Sequence, residues 1–128
     1  KARAALEQLN MTHYGDRQIG ELSGGQQQRV FLARALCQEA DIFLMDEPFV
    51  GVDVRTEQRM IKILKQLASE GKTILVVHHD LDSVQTYFDK VIMINQKLIA
   101  FGDTSEVFTK ENISATYSSQ SHFLEKNF

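Results

Sequence analysis

The residue pattern predicts an α/β fold, and three observations carry that expectation. Two short apolar runs, Ile42-Phe43-Leu44-Met45 and Thr73 to Val77, are continuous rather than alternating, as in parallel strands covered on both faces. Between them Met60, Ile63, Leu64 and Leu67 recur at the spacing of one helix face over Thr56 to Glu70, and Gly71 stands where such a helix is closed. Strand, helix and strand with short joints make a right-handed crossover and hence a parallel sheet.

The other elements follow in order. Ala2 to Leu9 reads as the end of a helix, and Asn10 to Glu21, with Gly15 and Gly20, as an irregular connection. Gln26 to Glu39 forms a half-buried helix entered through Gly24-Gly25, with Val30, Ala33 and Cys37 on its apolar face and Leu32 and Leu36 widening it. After the second strand Leu81, Val84 and Phe88 mark a short helix. Val91 to Ile94 and Leu98 to Phe101 then flank Asn95-Gln96-Lys97 as a hairpin ended by Gly102. Asp103 with Glu106 three residues on has the form of a capping box opening a last helix, and Ser114 to Gln120 is a polar tail.

At 128 residues the chain fits one domain. A net charge of -3 offers no basic field for nucleic acid or anionic lipid, and no apolar run approaches the roughly 20 residues that cross a bilayer as a helix. The single cysteine, Cys37, excludes an internal disulfide framework and fits a reducing compartment, with the cytosol as default. The opening Lys1-Ala2-Arg3-Ala4-Ala5-Leu6 has neither an initiator Met nor the apolar stretch of a signal peptide, so the chain is expected to be cut from something longer.

In open parallel sheets ligands lie beyond the carboxyl ends of the strands, where this sequence places Asp46-Glu47 and His78-His79. An apolar strand ending in two acids suits a magnesium–nucleotide site, the first carboxylate holding the metal shell and the second deprotonating water. Such acids also simply close a strand or cap the next helix. Leu22-Ser23-Gly24-Gly25-Gln26 adds a serine hydroxyl, two glycines that admit a phosphate to the backbone, and the N-terminus of a helix.

Leu22 to Gln26, continuing through Gln27-Gln28-Arg29-Val30 to Ala33-Arg34-Ala35-Leu36 and followed by Asp46-Glu47-Pro48, resembles the signature and Walker B motifs of ATP-binding cassette ATPases. The resemblance extends from about Leu6 to Gln120. It implies the C-terminal half of a RecA-like P-loop domain: residues 1–40 ending a helical subdomain, 41–112 the later part of the core, and 113–128 a tail. It implies ATP and Mg²⁺ as cofactors. Ser23, Gly24, Gly25 and Gln26, introduced by Leu22, reach the γ-phosphate of ATP bound to an opposite subunit. Asp46 organises Mg²⁺, Glu47 acts on the attacking water, and His79 is the switch histidine on the γ-phosphate. Asp53, in Gly51-Val52-Asp53, lies in the D-loop that crosses the dimer interface. The implied partners are a second ATPase subunit, membrane-spanning permease subunits and, indirectly, a solute-binding protein, with no nucleic acid. The implied location is the cytoplasmic face of the cell membrane.

Several of these residues also carry plainer readings. Asp53 suits the N-cap of the helix that follows, a role compatible with the interface. His78 reads as a strand-end residue hydrogen-bonded to backbone, Cys37 as core packing, and Arg29 and Arg34 as solvated or ion-paired. The spelling Pro48-Phe49-Val50-Gly51-Val52-Asp53, Val77-His78-His79-Asp80 and the stretch from Gly102 to Asn112 resemble ATPases of bacterial manganese, zinc or iron importers. No G-x-x-x-x-G-K-[ST] loop occurs in these residues, so hydrolysis is expected of a longer parent and not of this chain alone. The rival classes are a chromosome-organising or repair ATPase, which inserts a long coiled coil before the signature, a translation-associated soluble cassette, and a truncated product that only binds.

Overall fold

The computed structural model describes residues 1–117 and divides into two compact units, the first ending at Val77 and the second beginning at His78. The rest of the polar tail, from residue 118 on, lies outside the described residues.

The first unit opens with α1 (Ala2–Gln8), which packs against α2 (Gly24–Cys37). The irregular connection between them contains two 3-10 turns, Thr12–Tyr14 and Ile19–Glu21, and the buried Leu9 and Met11 seal it to the core. Arg29 of α2 departs from expectation. The residue is half-buried, Nη1 donates to the Leu9 carbonyl at 3.3 Å, and Nε has no hydrogen-bond partner among the described residues, so Arg29 ties the end of α1 to α2 rather than standing in solvent. Cys37 is only half-buried.

The crossover forms as the periodicity predicts. Strand β1 (Ile42–Asp46), helix α3 (Val54–Ser69) and strand β2 (Thr73–Val77) make a parallel pair in which Ile42 stands opposite Thr73 and Asp46 opposite Val77. The register is pinned at its start: the Thr73 amide donates to the Asp41 carbonyl at 2.9 Å and Lys72 Nζ to the Asp41 carboxylate at 3.0 Å. Helix α3 lies against β2, buries Met60, Ile61 and Leu64, and half-buries Ile63 and Leu67. It ends in a Schellman motif. Gly71, at φ +93°, donates to the Ala68 carbonyl, and the Lys72 amide reaches back to Leu67, a conformation that glycine enters without a Cβ clash.

The expectation that both strands are covered on both faces is not met. Phe43 is buried, and Met45, Ile74 and Val76 are half-buried, whereas Ile42, Leu44, Leu75 and Val77 are exposed, Leu44 by 74%. The reason is the element count. Among the described residues of this unit a single crossover helix joins the two strands, and one helical layer covers one face of a sheet.

The second unit runs from a 3-10 turn (Leu81–Ser83) into α4 (Val84–Tyr87) and an antiparallel hairpin of β3 (Lys90–Ile94) and β4 (Leu98–Asp103). Gly102 does not end the hairpin; it pairs with Val91 inside β4, which continues to Asp103. The expected capping box at Asp103 is also absent. Its carboxylate accepts from Lys90 Nζ across the ladder at 3.0 Å and makes no cap bond, so the segment that follows is split into α5 (Thr104–Val107) and α6 (Lys110–Thr116). Thr109 caps α6, its hydroxyl accepting from the Asn112 amide at 3.2 Å. Val84, Met93, Phe108 and Ile113 form the core here.

Met60 is fully buried in the first unit. Truncation there leaves a cavity that backbone cannot fill, so Met60→Ala is expected to destabilise that unit by about 2–5 kcal/mol, read as a lowered denaturant midpoint.

Candidate functional site

The start of α2 is built by its own side chains. Ser23 is the N-cap: its hydroxyl accepts from the Gln26 amide at 3.1 Å, while the Ser23 amide donates to Gln26 Oε1 at 2.9 Å. This reciprocal box explains why the helix begins at Gly24, two residues earlier than the apolar pattern predicts. Gln26 is held from behind as well, Nε2 donating to the Tyr14 hydroxyl at 3.0 Å. Gln27 Nε2 donates to the carbonyls of Ile19 and Leu22, and the Leu22 side chain is buried, so Leu22 anchors the element.

Both ends of the Gln26 amide are therefore engaged within the chain. The cap leaves the Gly24 and Gly25 amides as the two N–H groups at this helix start without a partner among the described residues. The Ser23 hydroxyl, which accepts in the cap, keeps its own proton to donate.

The two glycines have different surroundings. A Cβ on Gly24 meets nothing within 4 Å, whereas a Cβ on Gly25 lies 2.5 Å from the Gly51 carbonyl oxygen and 3.4 Å from the Val52 Cα. Gly24 therefore keeps an open approach to the helix N-terminus. Gly25 lets that N-terminus seat against the turn after β1, and Gly51 itself sits at φ +76°.

At the carboxyl end of β1, Asp46 is exposed and paired with Val77. Glu47 is half-buried and left-handed, at φ +47°. That conformation is costly for a residue with a side chain, and the following Pro48 restricts it further, so it needs holding from outside. The Glu47 amide donates to the Val77 carbonyl at 3.0 Å, extending the β1–β2 ladder by one bond, and buried Pro48 and Phe49 fix the chain beyond.

Asp53 caps α3: Oδ1 accepts from the Thr56 amide at 2.8 Å and Oδ2 from the Thr56 hydroxyl at 2.9 Å. The bond from the Thr56 backbone, then that from its hydroxyl, holds the Asp53 carboxyl below its ordinary value, with the Arg29 guanidinium adding in the same direction. In the second unit His79 is exposed. His78 Nε2 lies 2.7 Å from the Ser83 hydroxyl.

Leu22, Ser23, Gly24, Gly25, Gln26, Asp46, Glu47 and Asp53 thus belong to the first unit, with the α2 start lying against the Gly51–Val52 turn, and His79 belongs to the second. Sequence reasoning missed the Gly25–Gly51 contact, the backbone at Glu47, and Tyr14 as the support of Gln26. For Mg²⁺, Asp46 offers one exposed carboxylate, and no group of three or more His, Cys, Asp or Glu side chains suited to a metal occurs among the described residues. One carboxylate completed by nucleotide phosphates and water is a common way to hold Mg²⁺, so these residues fit an ion that arrives with a nucleotide.

Gly25→Ala must push the Gly51 carbonyl aside and is expected to cost about 1–3 kcal/mol. Gly24→Ala, in open space on a helix, is expected to be neutral or stabilising. Denaturation of the two variants side by side checks the contrast. For Asp53, a folded-state carboxyl held low contributes stability that is fully present above the unfolded-state value and lost as pH falls through the folded one. Asp53→Ala is therefore expected to lower the melting temperature at pH 7, and the gap to the parent chain to narrow below about pH 4.

The family model described as ABC transporter matches residues 1–50. The manganese transport system ATP-binding protein MntB of Bacillus subtilis (strain 168) is 55% identical over 124 residues, covering 97% of this chain and 50% of that protein. The zinc transport system ATP-binding protein TroB of Treponema pallidum (strain Nichols) is 56% identical over 117 residues, covering 91% of this chain and 44% of its own. Among solved structures, MJ1267, an ATP-binding cassette of an ABC transporter, superposes with a TM-score of 0.75 at 34% identity, covering 91% of this chain and 48% of MJ1267. The chain spans about half the length of the curated relatives it matches. The serine-capped Gly24-Gly25 helix start, the strand closed by Asp46-Glu47 and these likenesses agree that, over the stretch it spans, the chain belongs to the ATP-binding cassette family.

Proposed function

We propose that these residues are part of the ATP-hydrolysing motor of a bacterial importer of a divalent metal ion such as manganese, zinc or iron. The observation that carries the reading is the α2 start. Ser23, Gly24 and Gly25 present one hydroxyl and two amides at a positive helix end, in the same unit as an acid-terminated strand and without any G-x-x-x-x-G-K-[ST] loop in these residues. The metal class rests on relatives whose names are manganese and zinc transport system ATP-binding proteins.

On this reading the active form is a dimer that sandwiches two ATP molecules. Ser23, Gly24 and Gly25 of one subunit meet the terminal phosphate of the nucleotide held by the other, where hydroxyl and amide donors offset charge that develops during phosphoryl transfer. Gln26 keeps the cap that aims them. Glu47 takes a proton from the attacking water, and its fixed backbone sets the direction of the carboxylate. His79 contacts a terminal phosphate, and Asp53 lies at the subunit interface. Asp46 holds Mg²⁺, which supplies charge neutralisation on the phosphates. The dimer works on membrane-spanning permease subunits at the cytoplasmic side of the membrane, a peripheral role suited to a chain in which no described helix is long and apolar enough to cross a bilayer.

The test is made on the complete cassette. Glu47→Gln is expected to keep ATP-driven dimerisation, read by light scattering, while turnover falls by about 10²- to 10⁴-fold. Near-normal hydrolysis removes Glu47 as the base. The 128-residue chain alone is expected to show no Mg²⁺-dependent hydrolysis.

A further inference from the structure

We infer that His78 is a positioning residue for the proposed reaction: through Ser83 it fixes the short loop that carries His79. The inference rests on the reading of His79 as a phosphate contact and adds a device that the family motif does not contain.

The loop leaves β2 at His78 and enters the 3-10 turn Leu81–Ser83, with His79 exposed between. Three contacts close it. The Asp80 carboxylate accepts from the Asp82 amide at 3.2 Å, and the Asp80 carbonyl accepts from the Ser83 amide at 3.3 Å and from Ser83 Oγ at 3.1 Å. His78 Nε2 then lies 2.7 Å from the same Ser83 Oγ.

A serine hydroxyl has one proton, and the acceptors within reach of it are the Asp80 carbonyl and, in one tautomer, His78 Nε2. On this inference the proton goes to the carbonyl, and Ser83 Oγ accepts from His78 in its Nε2–H tautomer. The result is a directed chain, His78 Nε2–H to Ser83 Oγ–H to the Asp80 carbonyl, that brackets His79 from the residue before it and the residue after it.

The imidazole packs against two aromatic rings. The Phe88 ring meets it edge-on with centroids 5.1 Å apart, and the Tyr87 ring, on a largely buried residue, lies 5.9 Å away. A contact to a reacting phosphate requires placement to a fraction of an ångström. His78 supplies that placement, because its ring is held by aromatic contacts while its Nε2 proton holds Ser83.

Three variants of the complete cassette test this. His78→Phe keeps a packed ring and removes the donor; Ser83→Ala removes the acceptor; His78→Gln restores an N–H donor. The expected result is a fall in kcat of about ten-fold for His78→Phe and Ser83→Ala, KM for ATP nearly unchanged, and recovery of most of the rate in His78→Gln. In a His79→Ala background, His78→Phe is expected to leave the residual rate unaltered, because the effect acts through His79. Unchanged kcat in both His78→Phe and Ser83→Ala overturns the inference, as does a loss that persists in full without His79. If His79→Ala itself leaves turnover intact, the reading of His79 fails and the positioning role falls with it. The ring ¹⁵N–¹H spectrum of His78 reads the bond separately: a slowly exchanging Nε2 proton supports it, and an Nδ1-only tautomer overturns it.

Discussion

No side chain fits between the start of α2 and the turn after β1, and much of the first unit's chemistry depends on that exclusion. Gly25 faces the Gly51 carbonyl across a gap that a single Cβ closes to 2.5 Å. Backbone meets backbone there, so neither partner has a rotamer through which to yield, and close-packed interiors transmit such a displacement rather than absorb it. Asp53 follows two residues after Gly51 and caps α3, which carries the crossover to β2. One contact thus refers the aim of the Gly24 and Gly25 amides, the start of α3 and the end of β1 to a common frame. The capping box of Ser23 and Gln26 sets the local shape of that helix start, and the Gly25 contact sets its place.

Glu47 is the second fixed point. Adjacent residues of a continuing strand face opposite sides of a sheet. The left-handed backbone at Glu47 breaks that alternation immediately after Asp46, at an energetic cost of about 1–2 kcal/mol for a residue with a Cβ. The cost is offset where it is incurred: the bond to Val77 extends the ladder, and Pro48 and Phe49 are buried directly behind. Local strain of this kind persists where the surroundings over-determine it, and such sites cluster where a side chain has to be aimed.

The sequence was most legible where one local rule decides the outcome. The crossover followed from apolar periodicity, Gly71 from the demands of a helix end, and the Asp53 cap from its place before Thr56. Legibility failed where two rules competed for one group. Asp103 could cap a helix or pair across a hairpin, and Lys90 opposite it in the ladder took the carboxylate. Arg29 looked like a surface cation because periodicity says nothing of the Leu9 carbonyl twenty residues earlier. The second face of the β1–β2 pair was misjudged for a different reason: continuous apolar runs report what a strand is suited to bury, not which elements within these residues cover it. At the candidate site the identities of the residues were legible and their supports were not. Tyr14 behind Gln26, Gly51 against Gly25 and Ser83 beside His78 are separated from their partners by 5 to 26 residues in sequence, and no periodicity links them.

The charges in the first unit also bear on how the site is shared. A helix start with two open amides attracts phosphate, yet the same unit carries Asp46 and Glu47, which repel it. If both features served one triphosphate, the acids would oppose the binding that the amides favour. The shared dimer site proposed above removes the conflict, because the Gly24–Gly25 amides act on the nucleotide of the opposite subunit while Asp46 and Glu47 act on their own. In that arrangement Asp46 would meet phosphate through a bound Mg²⁺ and Glu47 through water, so that a repulsion would become a metal ligand and a base. Under that proposal each nucleotide would gain the Ser23, Gly24 and Gly25 donors only from the opposite subunit, and closure of the dimer would couple hydrolysis to association.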